Sequence, residues 1–239
     1  MQRKAIFNNK LLPYLLLAPQ LAITFAFFFW PAGEAVWYSF IRQDAFGIST
    51  QFVWFENFTD LFADPLYHQV IINTIIFSVA VTVLAMGIAL GLAVLADRHI
   101  RGKDAYRILL IWPYAVAPAV AAVLYIFLFH PDIGLIGRAL KAAGLAWNYT
   151  LNGNQAMLVV VLAAAWKQVS YNFLFFLAGL QSIPRSVLEA AAIDGASPFH
   201  RFRTVIFPLL SPTSFFLLVI NITYAFFDTF GIIDALTKG

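Results

Sequence analysis

The chain has no cysteine, and only 11% of its 239 residues are charged. The first absence excludes a disulfide framework, thiolate metal sites and a cysteine nucleophile. The second excludes an ordinary soluble domain, in which about 25% of residues carry charge. The sequence also lacks a GxxxxGK[ST] phosphate loop, so no ATP hydrolysis of that kind belongs to it. Its four histidines, His68, His99, His130 and His200, are scattered through separate connections, and no metal site is expected. The formal charge of +3 comes in short basic clusters without a polyanion-binding face, which argues against a nucleic-acid partner.

What fills the chain is apolar: 62% of residues are hydrophobic and 17% aromatic. A spanning helix needs about 20 mostly apolar residues, because backbone groups left unpaired in hydrocarbon cost several kcal/mol. Five segments qualify, at 11–30, 70–96, 108–129, 155–180 and 209–230. The expected fold class is all-α, a polytopic transmembrane helix bundle forming one domain over 1–239. The first segment follows a basic N-terminus, as a signal peptide would, but its apolar run is too long and Pro31-Ala32-Gly33-Glu34-Ala35 is a poor cleavage site. It reads as a retained anchor.

Lysine and arginine orient the bundle. Arg3, Lys4, Lys10, Arg98, Arg101, Lys103, Arg107, Arg185, Arg201 and Arg203 fall on one side, and Arg42, Arg138, Lys141 and Lys238 on the other. The N-terminus is therefore expected in the cytoplasm. The long outer connections, 31–69 and 130–154, carry Trp37, Trp54 and Trp147, residues suited to the headgroup interface.

Trp112-Pro113-Tyr114-Ala115-Val116-Ala117-Pro118 places two prolines in the third segment, which should bend or break near its cytoplasmic half. Such a kink serves packing alone or a flexing element beside a translocation path.

Between the fourth and fifth segments lies a polar stretch of helical character, about 181–208. Ser186 and Glu189 have capping-box spacing, Gly195 suits the left-handed end of a helix, and Ser197-Pro198 suits the start of another. Phe199, Phe202, Val205 and Ile206 recur at helical spacing. Periodicity alone is satisfied by an elbow lying on the inner leaflet. Glu189-Ala190-Ala191, then Gly195, then Val205-x-Phe207-Pro208, however, resembles the EAA loop of binding-protein-dependent ABC importer permeases of the maltose type, with Val205 and Phe207 replacing the usual isoleucine and leucine. The runs Trp30-Pro31-Ala32-Gly33-Glu34, Trp112-Pro113-Tyr114, Trp166 to Leu174 and Leu180 to Pro184 extend the likeness across the chain, most closely to the branch that imports sn-glycerol-3-phosphate and glycerophosphodiesters. Related sugar permeases share much of the pattern.

The resemblance implies a type I importer fold with five of six spans present, the chain stopping at Leu236-Thr237-Lys238-Gly239 before the last. It implies an inner-membrane, non-catalytic subunit working with a second permease, two cytoplasmic ATPase subunits that use ATP and Mg, and a periplasmic binding protein. Glu189, Ala190, Ala191, Asp194, Gly195 and Pro208 would form the ATPase-coupling elbow, with Pro208 opening the fifth span. Glu189 is left with two roles, cap and docking carboxylate.

Polar residues at membrane depth are the candidates for a substrate path. They are Lys167, Asn172, Asn221, Tyr224 and Asp228, and Lys167 lies roughly 18 Å into its span at 1.5 Å per residue. An ammonium there suits a phosphate monoester, and equally a lysine that holds the bundle together; Asp228 suits a gate or structural role better than a ligand. Two other classes fit the sequence less well. A secondary transporter should show paired broken spans in corresponding halves, and the proline pair occurs once. A membrane enzyme needs a convergent acid, base or metal cluster, and none is apparent.

Overall fold

The structure is a computed structural model describing residues 11–44, 46–97 and 103–238. The basic residues Arg3, Lys4, Lys10, Arg98 and Arg101, and the side chain of Lys103, lie outside the described residues, so the orientation argument keeps its sequence basis. The chain forms two compact units, 1–71 and 72–239.

In the first unit, α1 runs Leu12–Ser39, longer than the expected segment. Its 28 residues span roughly 42 Å, more than the hydrocarbon core, so the Trp30-Pro31 run continues the helix. Pro31 cannot donate to the preceding turn, and the turn just before it, Phe25–Phe29, widens to a π-helix in which Trp30 N–H reaches the Phe25 carbonyl. The outer connection then folds into a short hairpin, β1 (Ile41–Gln43) and β2 (Thr50–Phe52), paired antiparallel with Ile41 opposite Phe52. Asp44 closes the turn by accepting from the backbone N–H of Ile48 at 2.7 Å and of Ser49 at 3.1 Å. These bonds, led by that of Ile48, hold the carboxyl below its ordinary value. α2 (Glu56–Ala63) follows; its Asn57 donates to the Ser39 and Ile41 carbonyls, and its Glu56 and Asp60 flank Arg42.

α3 (Pro65–Ala96) leads into the second unit, whose axis is α7 (Gly153–Ser182). α4 (Lys103–Ala115) and α5 (Pro118–Phe129) form the third expected span, α6 (Leu135–Ala142) lies in the outer connection, and α8 (Arg185–Ile193) with α9 (Pro198–Leu209) makes the elbow. α10 (Ser211–Phe227) and α11 (Phe230–Thr237) complete the unit. Among the described residues three helices are long and apolar enough to cross a membrane alone, and the count reaches five if each bent pair is one span. α4 and α5 meet at 104°, a sharper break than a kink; α9 and α10 meet at 67°.

Two apolar clusters wrap α7. One joins Phe77, Val81, Phe129, Trp147, Val159, Ile232 and Leu236, with α11 packed on α5 and α7. The other joins Ala89, Ala93, Phe173, Phe176, Leu180, Leu210 and Leu217. Trp147 was expected at the headgroup interface, but it is 6% exposed and donates from Nε1 to the Phe129 carbonyl at 2.8 Å. That carbonyl lies at the frayed end of α5 and needs a donor, which an indole supplies better than a lipid headgroup.

Candidate functional site

The elbow is built from α8 and α9. α8 begins at Arg185, with Pro184 in the cap position and no side-chain cap bond. The expected Ser186–Glu189 capping box is therefore not formed: Pro184, already extended at ψ 131, caps the helix two residues early and leaves Ser186 inside the first turn. Glu189 is left exposed. At the other end Gly195 adopts φ +76, with Gly195 N–H bonded to the Ala192 carbonyl and Ala196 N–H to that of Ala191. This left-handed termination is one a side chain would strain. Ser197 then caps α9, accepting from His200 N–H at 3.3 Å, with Pro198 in its first turn.

Leu188 and Ile206 pack the elbow against the core, and Leu210, 1% exposed, pins its far end. The outward surface carries Glu189, Ala190, Asp194 and two apolar knobs, Ile193 at 86% and Phe199 at 74% exposure. Between the helices lies a concavity of about 610 Å³ lined by Ala191, Asp194, Gly195, Ser197, His200 and Thr204. Phe199 was expected to share one apolar face with Phe202, Val205 and Ile206; it is 74% exposed while those three are half-buried, and the turn 202–206 between them is π-helical. Pro208 does not open the next span either. It ends α9, the bend falls at Leu210, and Ser211-Pro212 starts α10. As at Pro31, the widened turn directly precedes the proline, with Phe207 N–H reaching the Phe202 carbonyl.

The polar residues of the membrane region form a layer on α7 between the two apolar clusters. Lys167, Gln168, Ser170 and Asn172 are all buried. Asn172 and Asn221, both 0% exposed, bind each other reciprocally at 3.0 and 2.7 Å. Their remaining amide hydrogens go to the Gln168 and Leu217 carbonyls at 2.8 and 2.7 Å. Every amide donor is thus spent, and the pair joins α7 to α10. Lys167, 9% exposed, donates from Nζ to the Val116 carbonyl at 2.6 Å, in the break between α4 and α5. Trp112 against Trp166 and Tyr114 against Tyr171, with ring centroids 6.2 and 5.7 Å apart, bracket that contact. Tyr224 is 9% exposed and its hydroxyl has no hydrogen-bond partner among the described residues. Asp228, exposed just past α10, is near enough for its charge to act on both Lys167 and Tyr224.

Sequence reasoning assembled the lysine, the tyrosine and the two amides but missed the Val116 carbonyl and the Ile193 and Phe199 knobs. A backbone acceptor has no residue type to betray it; the only signal for it was the proline pair.

A bundle of apolar helices, two of them broken, with a polar helical elbow between spans and a buried polar layer between two apolar clusters, defines a polytopic membrane permease. The chain belongs to the family of binding-protein-dependent transport system inner membrane components, which it matches over residues 84–237. It is 60% identical over 237 residues to the sn-glycerol-3-phosphate transport system permease protein UgpA of Brucella abortus, covering 99% of this chain and 81% of that one. The protein of the same name from Rhizobium meliloti is 58% identical with the same coverage. Among solved structures, a bacterial ABC transporter that imports the acidic polysaccharide alginate superposes with a TM-score of 0.77 at 22% identity, over 95% of this chain and 77% of the other. The same kind of transporter in complex with an alginate-bound periplasmic protein gives 0.75 at 21%, over 93% and 79%. These two show the fold.

Proposed function

We propose that this chain is the permease subunit of an sn-glycerol-3-phosphate importer, forming half of the path with a second, homologous permease. The observation that carries this is 60% identity, over 99% of the chain, to a permease named for that cargo. The N-terminus faces the cytoplasm, following the basic-residue bias, and a periplasmic binding protein delivers cargo from the other side. Glycerophosphodiesters share the phosphate and belong to the same cargo class.

The elbow is the docking element for one of two cytoplasmic ATPase subunits, which bind ATP and Mg and drive the cycle. Its form supports this. Small Ala190 and Ala191 allow close entry into a groove, Glu189 and Asp194 offer carboxylates to basic groups, and Ile193 and Phe199 offer apolar anchors of the kind that dominate docking energetics. Gly195 sets the angle between the two helices, and Pro208 ends the second just before the bend into α10, so motion of the elbow passes to a membrane helix. Lys167, Tyr224 and Asp228 face the cargo's route, while Asn172 and Asn221 hold together the helices that carry them.

The test is the reconstituted complex with partner permease, ATPase subunits and binding protein. Hydrolysis is expected to rise with sn-glycerol-3-phosphate and not with maltose; stimulation by maltose alone moves the chain to a sugar importer. Glu189→Lys is expected to detach or uncouple the ATPase subunits while the protein stays in the membrane. Copurification and cargo-stimulated hydrolysis that both survive would overturn the docking role.

A further inference from the structure

Pro118 cannot donate to the Tyr114 carbonyl, and Ala117, as the residue before a proline, is held extended at ψ 143. The helix therefore breaks at Val116 and Ala117. A carbonyl left unpaired in an apolar interior costs several kcal/mol. At Val116 that debt is met by a charged side chain from another helix, the Lys167 ammonium at 2.6 Å. The arrangement is satisfied but exchangeable: a neutral carbonyl offers an ammonium no opposite charge, whereas a phosphate offers both acceptor oxygens and charge.

Resting on the cargo reading above, we propose that Lys167 is a latch that leaves the Val116 carbonyl for the cargo's phosphate, so that arrival of cargo releases the broken third span. Three further features fit the exchange. The Tyr224 hydroxyl, buried without a partner among the described residues, is a second donor for an anion. Asp228, exposed just past α10, is an anion whose charge reaches Lys167 and with which the cargo's phosphate would compete for the ammonium. A cavity of about 350 Å³ lies beside the break, lined by Leu109, Leu110 and Pro113 of α4, Trp166 and Ser170 of α7 and Tyr125 of α5, and gives α4 room to move. Once Lys167 has left, the half-buried Val116 carbonyl has no other donor among the described residues, because the chain is extended at Ala117. The cost of that orphan makes the cargo-bound arrangement of α4 and α5 differ from the free one, which is the differential free energy a ligand needs to drive a conformational change.

The absence of native cysteine allows spin labels to be placed by Leu109→Cys on α4 and Val120→Cys on α5, both exposed, in the complete complex with partner permease, ATPase subunits and binding protein. In the otherwise native protein the label distance is expected to shift when sn-glycerol-3-phosphate is added. Lys167→Met is expected to show the shifted distance without cargo, raised basal hydrolysis and loss of cargo stimulation. Lys167→Arg, which still donates to the carbonyl and still carries charge, is expected to restore both the resting distance and the cargo response. Should Lys167→Met not assemble, Lys167→Gln serves: its neutral amide can hold the carbonyl, so the resting distance persists while the cargo response is lost. Resting distance and stimulation unchanged in Lys167→Met overturn the latch. Distance unchanged with only the cargo requirement raised makes Lys167 a simple cargo contact and also overturns it. A native protein that shifts with maltose and not with sn-glycerol-3-phosphate overturns the cargo reading and the phosphate exchange together, whereas an anion-specific shift that survives in Lys167→Met overturns the latch alone.

Discussion

The two broken helices are joined in opposite ways. Between α4 and α5 the 104° break is closed by an ammonium on a carbonyl, with aromatic pairs on either side. Between α9 and α10 the 67° bend is closed by Leu210, 1% exposed, packed so tightly on α7 that a Cβ added to Gly179 would meet Leu210 Cδ2 at 2.9 Å. A charge can change partners without leaving a hole, whereas a buried leucine cannot be withdrawn without opening a cavity. The first joint is therefore suited to switching and the second to transmitting, so that the elbow and α10 move as one body.

The comparison breaks first at Leu210. Leu210→Ala is expected to cost about 2–5 kcal/mol by leaving a cavity at the bend. Thermal unfolding of the purified complex measures this, and loss of cargo stimulation at temperatures where the protein is still folded shows that the joint transmits. An unchanged melting point would place the bend's rigidity elsewhere. Gly179→Val attacks the same joint from α7. Overpacking there should cost about 1–3 kcal/mol, read in the same melt, and Leu210→Ala should relieve part of it because the clash is with that side chain.

The Asn172–Asn221 pair sharpens the contrast by holding α7 to α10 with neutral groups. A double-mutant cycle through Asn172→Ala and Asn221→Ala should give a coupling of about 0.6–1.7 kcal/mol, the range of interhelical hydrogen bonds in membranes. A coupling near zero would mean that apolar packing alone holds these helices.

The smallest expected effect lies in the hairpin of the first unit. Asp44 has a carboxyl held below its ordinary 3.8 chiefly by the Ile48 N–H. Folding lowers this group's pKa, so its contribution to the turn is complete above the unfolded value and is lost as pH falls through the lower, folded one. Tryptophan fluorescence near Trp37 and Trp54 should report a transition on acidification below about pH 4 that Asp44→Ala lacks. Cargo-stimulated hydrolysis at neutral pH should be unaffected.

Much of this was legible in order along the chain. The five apolar stretches, the Gly195 turn and the Ser197-Pro198 restart depend on local chemistry that a few neighbouring residues carry, and each stands where expected. The Ser186–Glu189 box failed because Pro184 supplied a competing start two residues earlier. Trp147 went inside because a carbonyl eighteen residues before it needed a donor. Ile193 ends α8 and Phe199 stands in the first turn of α9, and both are outward knobs at 86% and 74% exposure, which hydrophobic periodicity alone does not foretell.

Sequence by itself determined that the chain is a membrane bundle of this family with a helical elbow, since apolar length, glycine and proline act on their own few residues. Tertiary structure alone decided what the buried polar groups do. Lys167 could have faced lipid, cargo or protein, and Asn172 and Asn221 could have lined a path. Their partners are a backbone carbonyl 51 residues away and each other, 49 residues apart. Where unpaired polar groups cost several kcal/mol, such pairings are compelled once the helices meet, and no local pattern announces which helices those will be.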